Sequence, residues 1–496
     1  MSTAVTKSRR SLVLATIMLA SFIAAIETTV VATAMPRIVG QLGGFAYYNW
    51  VFSAFLLAQT ATTPIYGKLA DMFGRKPILV GGILLFLAGS LLCGFAWSMT
   101  SLVIFRALQG LGTGAIFPVS MTIVGDLYPL EERSRAMGML AIVWAVSAVA
   151  GPLAGGVIVD SLSWAWIFWI NLPLGALAIA GFLLFLRERV EHRQIRIDYA
   201  GALLFSIAII SLLLMLTDPD APAAVLAGLA ALFVIVGVGF LRQEKRAAEP
   251  IISITLWTRR LVAASNTAML LAGMALIGLT TILPIYVQGV LGRSPIAAGL
   301  PLTMLIVGWP LAVMLSGRLY RTFGIRATAR VGSLIFPLGA LFLLFLTSGS
   351  GLAVASVGSF LMGFGMGIIS ITGTVLVQES VEWSMRGSAT SSIIFSRSLG
   401  NTLGAAALGA VLSVGIRHYG SGELAGRLLA LLDEPRGLDE LAGNADLRMV
   451  FFHALYWSFW GVVLVAMLAV ISTWLIPDVK RRRAATAAEV SEAAAE

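Results

Sequence analysis

The chain has 496 residues, of which 58% are hydrophobic and 12% are charged, and its mean hydropathy is +0.92. This composition excludes a soluble globular protein of that length and indicates an integral membrane protein. The net charge of +9 is spread over many short segments, so it predicts orientation in a membrane and no nucleic-acid partner. The single cysteine, Cys93, and three scattered histidines predict neither a disulfide framework nor a metal site.

Apolar runs long enough to cross about 30 Å of hydrocarbon recur along the whole chain. We predict fourteen membrane-spanning helices, at 11–34, 49–66, 77–97, 102–124, 136–159, 164–186, 199–217, 221–241, 261–290, 298–315, 327–347, 352–377, 388–414 and 449–476. The first run is too long for a signal-peptide core and lacks a small-residue cleavage site, so we expect it to be retained.

The basic residues predict how these helices are oriented. An even number of crossings places both termini on one side. Of the 34 Lys and Arg residues, 26 fall on that side when Arg330, near the same end of its span, is counted with it. By the positive-inside rule that side is cytoplasmic. We therefore expect a multi-pass protein of the inner, cytoplasmic membrane with both termini in the cytoplasm.

Two halves of the chain repeat each other at an offset of about 250 residues. The segment GKLADMFGRKP at 67–77 returns as GRLYRTFGIR at 317–326. Three spaced glycines also return, Gly110, Gly112 and Gly114 as Gly363, Gly365 and Gly367. Internal duplication in a membrane protein points to a transporter, because two repeats that rock against each other can expose a midplane site alternately to either side.

The repeat predicts an all-α membrane fold in four parts. We expect a six-helix bundle over 11–187, an inserted transmembrane hairpin over 199–241, and a second six-helix bundle over 261–476. A cytoplasmic tail follows at 477–496.

One acid, Glu27, lies well inside a predicted span, and Arg106 lies inside another. A helical rise of 1.5 Å per residue puts both about 8 to 10 Å from the outer ends of their helices, so their depths match. Gln109, Gly110 and Thr113 follow Arg106 along one helix stripe, which reads as cavity-facing. A buried carboxylate costs several kcal/mol unless it is paired or protonated. Glu27 and Arg106 are therefore either a proton-coupling pair or a permanently ionised packing pair.

Arg397 is the second cation that lies well inside a span, and Asn401 lies one turn further along. No acid lies within the same span. The guanidinium therefore either reaches the cytoplasmic interface by snorkelling or meets an anionic substrate or a helix C-terminus.

The segment 67–77 predicts a mechanical element. Gly67 and Gly74 allow close helix approach and a sharp turn, while Asp71 and Arg75 stand four residues apart and can pair with each other or with a neighbouring helix end. We expect a latch on the cytoplasmic side that also includes the cation Lys76. Ordinary positive-inside anchoring explains the cations but not the acid and the glycines. Arg321 replaces the aspartate in the second half, so the latch cannot be symmetric.

These motifs resemble the major facilitator superfamily over nearly the whole chain, specifically its fourteen-span drug:proton antiporter subfamily. The segment 67–77 resembles the superfamily loop between spans 2 and 3, and RALQGLGTG at 106–114 resembles a fourth-span motif whose arginine is implicated in proton coupling. IETTVVATAMP at 26–36 resembles the first-span motif, with Glu27 in place of the commoner aspartate.

AVAGPLAGG at 148–156 resembles the antiporter motif, which marks exporters in that family. Its key positions are Gly151, Pro152, Gly155 and Gly156. Pro152 frees a backbone carbonyl, and the small residues should let this span bend and pack closely against a span of the other half. The segment 283–292 also resembles the subfamily and would line an outer cavity, or anchor at the interface. The resulting candidates for a substrate cavity are Thr28, Gln109, Thr113, Tyr286, Gln288, Arg397 and Asn401.

The resemblance implies a proton-coupled exporter of amphiphilic drugs or other hydrophobic small molecules. Its partners would be substrate, protons and membrane lipids, and we expect a monomer without a cofactor. No GxxxxGK[ST] nucleotide loop occurs in the chain. A dedicated exporter of a lipid, siderophore or metabolite and an uncoupled facilitator remain alternatives. A membrane enzyme is disfavoured, because short loops leave no room for a catalytic domain.

Overall fold

The computed structural model describes residues 7–43, 47–188, 198–217, 221–247, 250, 254–347, 351–420, 422–433 and 443–477. Within these ranges the chain is helical and contains no β-strand. The tail predicted at 477–496 lies outside the described residues from position 478 onward.

Seventeen α-helices follow one another in the described ranges. The first nine are α1 (Lys7–Leu42), α2 (Tyr48–Phe73), α3 (Arg75–Gly94), α4 (Met99–Leu127), α5 (Leu130–Ser161), α6 (Trp166–Trp169), α7 (Asn171–Phe185), α8 (Tyr199–Thr217) and α9 (Ala223–Arg246). The remaining eight are α10 (Ile254–Trp257), α11 (Arg260–Ile285), α12 (Pro295–Phe323), α13 (Ile325–Phe342), α14 (Leu352–Glu379), α15 (Arg386–Tyr419), α16 (Gly422–Asp433) and α17 (Ala445–Trp474). A π-helical turn, Tyr286–Val290, extends α11.

Eleven helices in the described part of the chain are long and apolar enough to cross a membrane, and the bent helix α5 adds a twelfth. Helices suit this environment because they satisfy every backbone hydrogen bond within one segment. Helix α8 is apolar but shorter, and α2 carries Gln59, Thr60, Thr62 and Thr63 in its middle. The protein is therefore an all-helical, multi-span membrane protein, and the predicted count of fourteen goes beyond what these criteria establish.

The repeated glycines make equivalent contacts in the two halves. A Cβ atom on Gly110 of α4 would collide with the Phe55 carbonyl of α2, and one on Gly363 of α14 would collide with the Leu305 carbonyl of α12. The two contacted residues are themselves 250 positions apart. The internal repeat of the sequence is thus a repeat of helix packing, in which small residues allow two backbones to touch.

Buried apolar side chains of α1 to α7 form two clusters, and one of them also includes Val313 of α12 and Ile371 and Val375 of α14. A further cluster is formed by α11 to α17. Helix α8 packs against α9 and also contacts α2 and α15. The rings of Phe205 in α8 and Phe395 in α15 are 5.6 Å apart. The two halves meet mainly through α5 with α12 and through α2 with α15. We call the end of the bundle where α1 begins and α2 ends the α1 face.

Candidate functional site

A buried polar cluster lies where α1, α3, α4 and the start of α7 meet. A carboxylate oxygen of Glu27, Oε1, accepts a hydrogen bond from Nη1 of Arg106. The other oxygen, Oε2, accepts one from Nδ2 of Asn171 at 2.6 Å. Glu27 is 0% exposed and Arg106 is 1% exposed. The sequence-predicted pair is therefore formed, and both carboxylate oxygens are engaged.

Ser90 and Gln109 complete this carboxylate cluster. Gln109 Oε1 accepts from Arg106 Nη1 at 2.7 Å, and Gln109 Nε2 donates to Ser90 Oγ at 3.2 Å. Ser90 in turn donates to the Phe168 carbonyl at 2.8 Å. Sequence reasoning missed Asn171 and Ser90. A lone amide such as Asn171 within an apolar run is a signal that could have found it, because it needs a partner in hydrocarbon.

Arg106 is fixed from several directions. Its Nε donates to the Val51 carbonyl at 3.2 Å, and its Cζ lies 4.2 Å from the centre of the Phe55 ring. Removing the counter-charge of this buried cation is unfavourable, since breaking a buried ion pair typically costs about 3 to 5 kcal/mol. The cluster can therefore hold a charge pair in a water-poor site, and a change in the charge of Glu27 must change what Arg106 contacts.

A second polar cluster lies at the α1 face and joins the two halves. Asp71, near the end of α2, accepts hydrogen bonds from the backbone N–H groups of Gly387 at 2.8 Å and Ser388 at 2.7 Å. It also accepts one from the Ser388 hydroxyl at 2.8 Å. Asp71 thus caps the N-terminus of α15, a helix of the other half, where a carboxylate is favoured by the free N–H groups and the helix dipole.

Arg75 ties the same junction together. Its Nη2 donates to Asp71 at 3.2 Å and to the Trp383 carbonyl at 2.7 Å. Its guanidinium lies 3.8 Å from the centre of the Trp383 ring, and its Nε lies 3.2 Å from a carboxylate oxygen of Asp126. The predicted pairing of Asp71 with Arg75 and with a helix end is what the structure shows.

Four further charged residues extend this latch, and the sequence reasoning did not assign them to it. Arg386 Nη1 lies 3.1 Å from Asp126, and Arg133 Nη1 lies 3.1 Å from Glu379, so both pairs cross between the halves. Their spacing along the chain carries no local signal, because each pair is about 250 residues apart. Only the folded bundle brings them together.

The glycines of the latch loop have distinct roles. Gly74 has a φ of 95° at the turn between α2 and α3, and its repeat Gly324 has a φ of 80°, a conformation that favours glycine. Any side chain on Gly67 would collide with Ser391 of α15. Lys76 stays within its own half, where its Nζ donates to the Leu183 carbonyl at 3.0 Å. Arg321, at the position equivalent to Asp71, is exposed to solvent.

The exporter-like motif of α5 packs differently from our expectation. Helix α5 bends by 41° between 132–148 and 153–159, as a proline after Gly151 predicts. Gly151 and Gly155, however, lie against Thr29 and Val30 of α1 in the same half, not against a span of the other half.

Helix α5 instead meets the other half through an earlier turn, where Gly138 lies against Met314 of α12. Gly156 faces open space. The side chains of Pro152 and Thr28 lie outside the described residues.

A cavity of about 430 Å³ lies between the two halves. Helices α2, α4, α5, α11, α12, α14 and α15 contribute its walls, which are mainly apolar. Its polar or charged lining residues are Gln59, Thr280, Ser370, Thr374, Arg397, Ser398 and Asn401. Phe117, Trp144 and Trp309 supply aromatic surface. The predicted residues Arg397 and Asn401 line this cavity, whereas Trp309 was missed.

The other cavity candidates lie elsewhere. Gln109 belongs to the carboxylate cluster, and Thr113 is buried on α4, where its hydroxyl donates to the Gln109 carbonyl at 2.9 Å. Tyr286 is fully buried against Phe459, and its hydroxyl donates to the Thr347 carbonyl at 2.7 Å. Gln288 donates to the Pro284 carbonyl at 3.4 Å within its own helix. None of the four is part of the lining of the 430 Å³ cavity.

Two helical halves related by a repeat, latched at one face and separated by a cavity, define a membrane transporter of the rocking type. A family model described as Major Facilitator Superfamily matches residues 17–405. The chain belongs to the Major Facilitator Superfamily, as its motifs indicated, and it is therefore a transporter and not an enzyme.

Individual relatives agree with this membership. The chain is 37% identical over 399 residues to Multidrug resistance protein 3 of Bacillus subtilis, covering 80% of this chain and 78% of that protein. It is 36% identical over 411 residues to Multidrug transporter protein MdtP of the same organism, covering 82% of this chain and 76% of that protein. The crystal structure of the human organic anion transporter MFSD10 (TETRAN) matches with a TM-score of 0.62 at 15% identity, over 93% of this chain and 99% of that chain.

The charge pair of the carboxylate cluster predicts a non-additive stability pattern. Arg106→Gln leaves Glu27 without its cation and should lower the free energy of unfolding by about 3 to 5 kcal/mol. The double variant Glu27→Gln/Arg106→Gln removes both charges and should lose markedly less than the sum of the single losses. Equilibrium unfolding in mixed micelles gives the free energy of unfolding of the parent, the two single variants and the double variant. Additive losses would show that the two side chains do not interact.

The latch predicts that Asp71→Asn opens the α1 face. In the Asp71→Asn variant one carboxylate oxygen is replaced by an NH2 group, which cannot accept a hydrogen bond from the N–H groups of α15. About 1.5 to 3 kcal/mol of charge-assisted hydrogen bonding is therefore lost. We expect the open population to rise at least about tenfold. Spin labels at the exposed positions Phe73 and Ser384, in a Cys93→Ala background, report this as a distance distribution.

The repeat supplies the matched control for this experiment. Arg321→Gln changes the equivalent, exposed position of the second half and should leave the distance distribution unchanged. If Asp71→Asn and Arg321→Gln gave the same distribution as the parent, Asp71 would not hold the halves together.

Proposed function

We propose that the chain is a proton-coupled exporter of amphiphilic drugs or other hydrophobic small molecules, working by alternating access. The observation that carries this proposal is the fully buried contact of Glu27 with Arg106, because an acid in hydrocarbon is retained chiefly where protons or substrates move. The names of the relatives, a multidrug resistance protein and a multidrug transporter, support the substrate class.

The carboxylate cluster lies outside the cavity lining, so coupling has to pass through the helices. Thr29 follows Glu27 by two residues, and its hydroxyl lies 3.3 Å from the Ser147 carbonyl of α5. Trp144 and Ala148, on either side of Ser147, line the cavity. A movement of α1 that accompanies protonation of Glu27 is therefore transmitted to the cavity wall through one direct contact.

A second connection runs along α4. This helix carries Arg106 in the cluster and Phe117 in the cavity wall, three turns apart. When Glu27 takes up a proton, Arg106 loses its counter-charge and keeps Gln109 and the Val51 carbonyl as partners. We infer that this exchange of partners shifts α4 relative to α1 and changes which side of the membrane the cavity faces.

We propose a fourteen-span architecture with a cytoplasmic α1 face. Adding α2 and α8 to the twelve apolar helices gives the fourteen spans of the subfamily, with α8 and α9 as the inserted hairpin between two six-helix bundles. The excess of basic residues supports a cytoplasmic α1 face and an inner-membrane location. The latch then closes the cytoplasmic side in this conformation. We propose a monomer that needs membrane lipids but no cofactor.

A proton gradient is a sufficient energy source for this activity. One proton that crosses about 150 mV releases roughly 3.5 kcal/mol, which sustains a several-hundred-fold gradient of a neutral substrate. No nucleotide is required.

The coupling proposal predicts the behaviour of Glu27→Gln in proteoliposomes. Uphill movement of a fluorescent lipophilic substrate under an imposed pH gradient should fall to the level of protein-free vesicles, because the amide cannot take up a proton. Substrate affinity should stay within about threefold, since the side chain is outside the cavity. Glu27→Asp should retain uphill transport at a reduced rate.

Glu423→Gln is the matched control, because Glu423 is an exposed acid of α16. It should transport like the parent. If Glu27→Gln still concentrated the substrate, the protein would be an uncoupled facilitator or would carry its proton elsewhere.

A further inference from the structure

Arg397 lines the cavity and is not part of the carboxylate cluster, so the proposed proton coupling gives it no role. Its guanidinium lies between two rings, with Cζ 5.3 Å from the centre of Phe117 and 5.6 Å from the centre of Trp309. Trp309 is the middle residue of the 29-residue helix α12, so the cation is held at mid-depth of the bundle. Its position between these rings excludes snorkelling to the membrane interface as the reason for this arginine.

No acid accompanies this cation in the part of the chain that the structure describes. Arg106 has Glu27 beside it, but Arg397 has no ion-pair partner among the described residues. It is also the one ionisable side chain in the cavity lining. The fixed charge of the lining is therefore +1. The carboxylate of Glu27 is not part of the cavity lining, and both its oxygens are engaged by Arg106 and Asn171.

Two other lining groups lack partners. Nε1 of Trp144 and Oδ1 of Asn401 are buried, and neither makes a hydrogen bond within the described structure. Asn401 lies one helical turn from Arg397 on α15, and both line the same cavity. The cavity therefore presents a cation against a mainly apolar wall, with an unsatisfied indole N–H and an unsatisfied amide oxygen buried beside it. A charged group in apolar surroundings is the usual construction of a small-molecule site.

Charge complementarity decides what such a site holds. An isolated cation at mid-membrane is expensive, and aromatic faces offset only part of that cost. A guanidinium binds a carboxylate with two parallel hydrogen bonds, which a neutral or cationic group cannot form. A cationic amphiphile would instead meet a like charge in a water-poor space.

We propose that the cavity binds organic anions, specifically amphiphilic aromatic carboxylates whose carboxylate pairs with Arg397 while the ring system packs among Phe117, Trp144 and Trp309. The transport of such anions rests on the proposed export function, but their binding at Arg397 does not.

Three ligands that share one ring system and differ in charge test this proposal. Calorimetric titration of the full chain in lipid nanodiscs, with empty nanodiscs as blank, compares 2-naphthoate, 2-naphthamide and 2-naphthylmethylammonium. We expect 2-naphthoate to bind at least about tenfold more tightly than 2-naphthamide, and the ammonium to bind most weakly.

Substitution of Arg397 should weaken the binding of the carboxylate ligand and leave the binding of the neutral ligand nearly unchanged. Arg397→Gln should weaken 2-naphthoate at least about tenfold and leave 2-naphthamide within about twofold, while Arg397→Lys should lie between parent and Gln. The matched control is Arg330→Gln, which neutralises a guanidinium 4.9 Å from the centre of the Trp474 ring and outside the cavity lining. It should change none of the three affinities.

Equal or tighter binding of the ammonium, or 2-naphthoate binding that Arg397→Gln leaves unchanged, would overturn the proposal. If Arg397→Gln loses its monodisperse elution profile, the charge series on the parent and Arg397→Lys decides the question.

Transport assays separate this proposal from the proposed function. A parent chain that exports a lipophilic cation under a pH gradient, without Arg397-dependent binding of 2-naphthoate, would retain the export function and refute the anion site. Arg397-dependent binding without uphill movement of any test compound would refute the export function and support the anion site.

Discussion

A carboxylate inside hydrocarbon needs a partner or a proton, and this constraint organises the first half of the molecule. Glu27 meets it with Arg106 and Asn171, which brings α1, α4 and α7 to one point. Because the cluster is fully buried and has few alternative partners, its two charge states cannot share one arrangement. The proposed coupling to protons rests on the cost of leaving Arg106 without its counter-charge.

The two halves divide the remaining work. The first half holds the ion pair, while the second half contributes Arg397, a cation of the cavity with no ion-pair partner among the residues that the structure describes. The latch at the α1 face joins them through a carboxylate that caps a helix of the opposite half. Equivalent helices of the two halves therefore share packing contacts but carry different charged residues.

The sequence predicted the features that depend on depth, spacing or backbone geometry. Depth alone paired Glu27 with Arg106, because ionisable side chains are rare in spans, and glycine spacing revealed the repeated helix contacts. Gly74 at a positive φ followed from the need for a tight turn between two helices. Membership of the major facilitator superfamily followed from the motifs that carry these residues.

The features that the sequence left open depend on which helix faces which. Asp126, Glu379 and Arg386 join the latch only because the two halves are folded together. The partner of Gly151 proved to be α1, since the bend of α5 and its contact with α12 occur at different turns. Tyr286 has a polar tip that a sequence reader would place at a cavity, yet a backbone carbonyl satisfies it in the core.

Infrared difference spectroscopy of the carboxyl stretch of Glu27 tests the coupling claim most directly. Spectra of the purified parent and of Glu27→Gln are recorded with the α1 face latched and again with it open. The difference between parent and variant isolates the signal of this one group. We expect a protonated-carboxyl band in one conformation and its loss in the other. A carboxylate that stays ionised in both conformations would contradict proton coupling through Glu27.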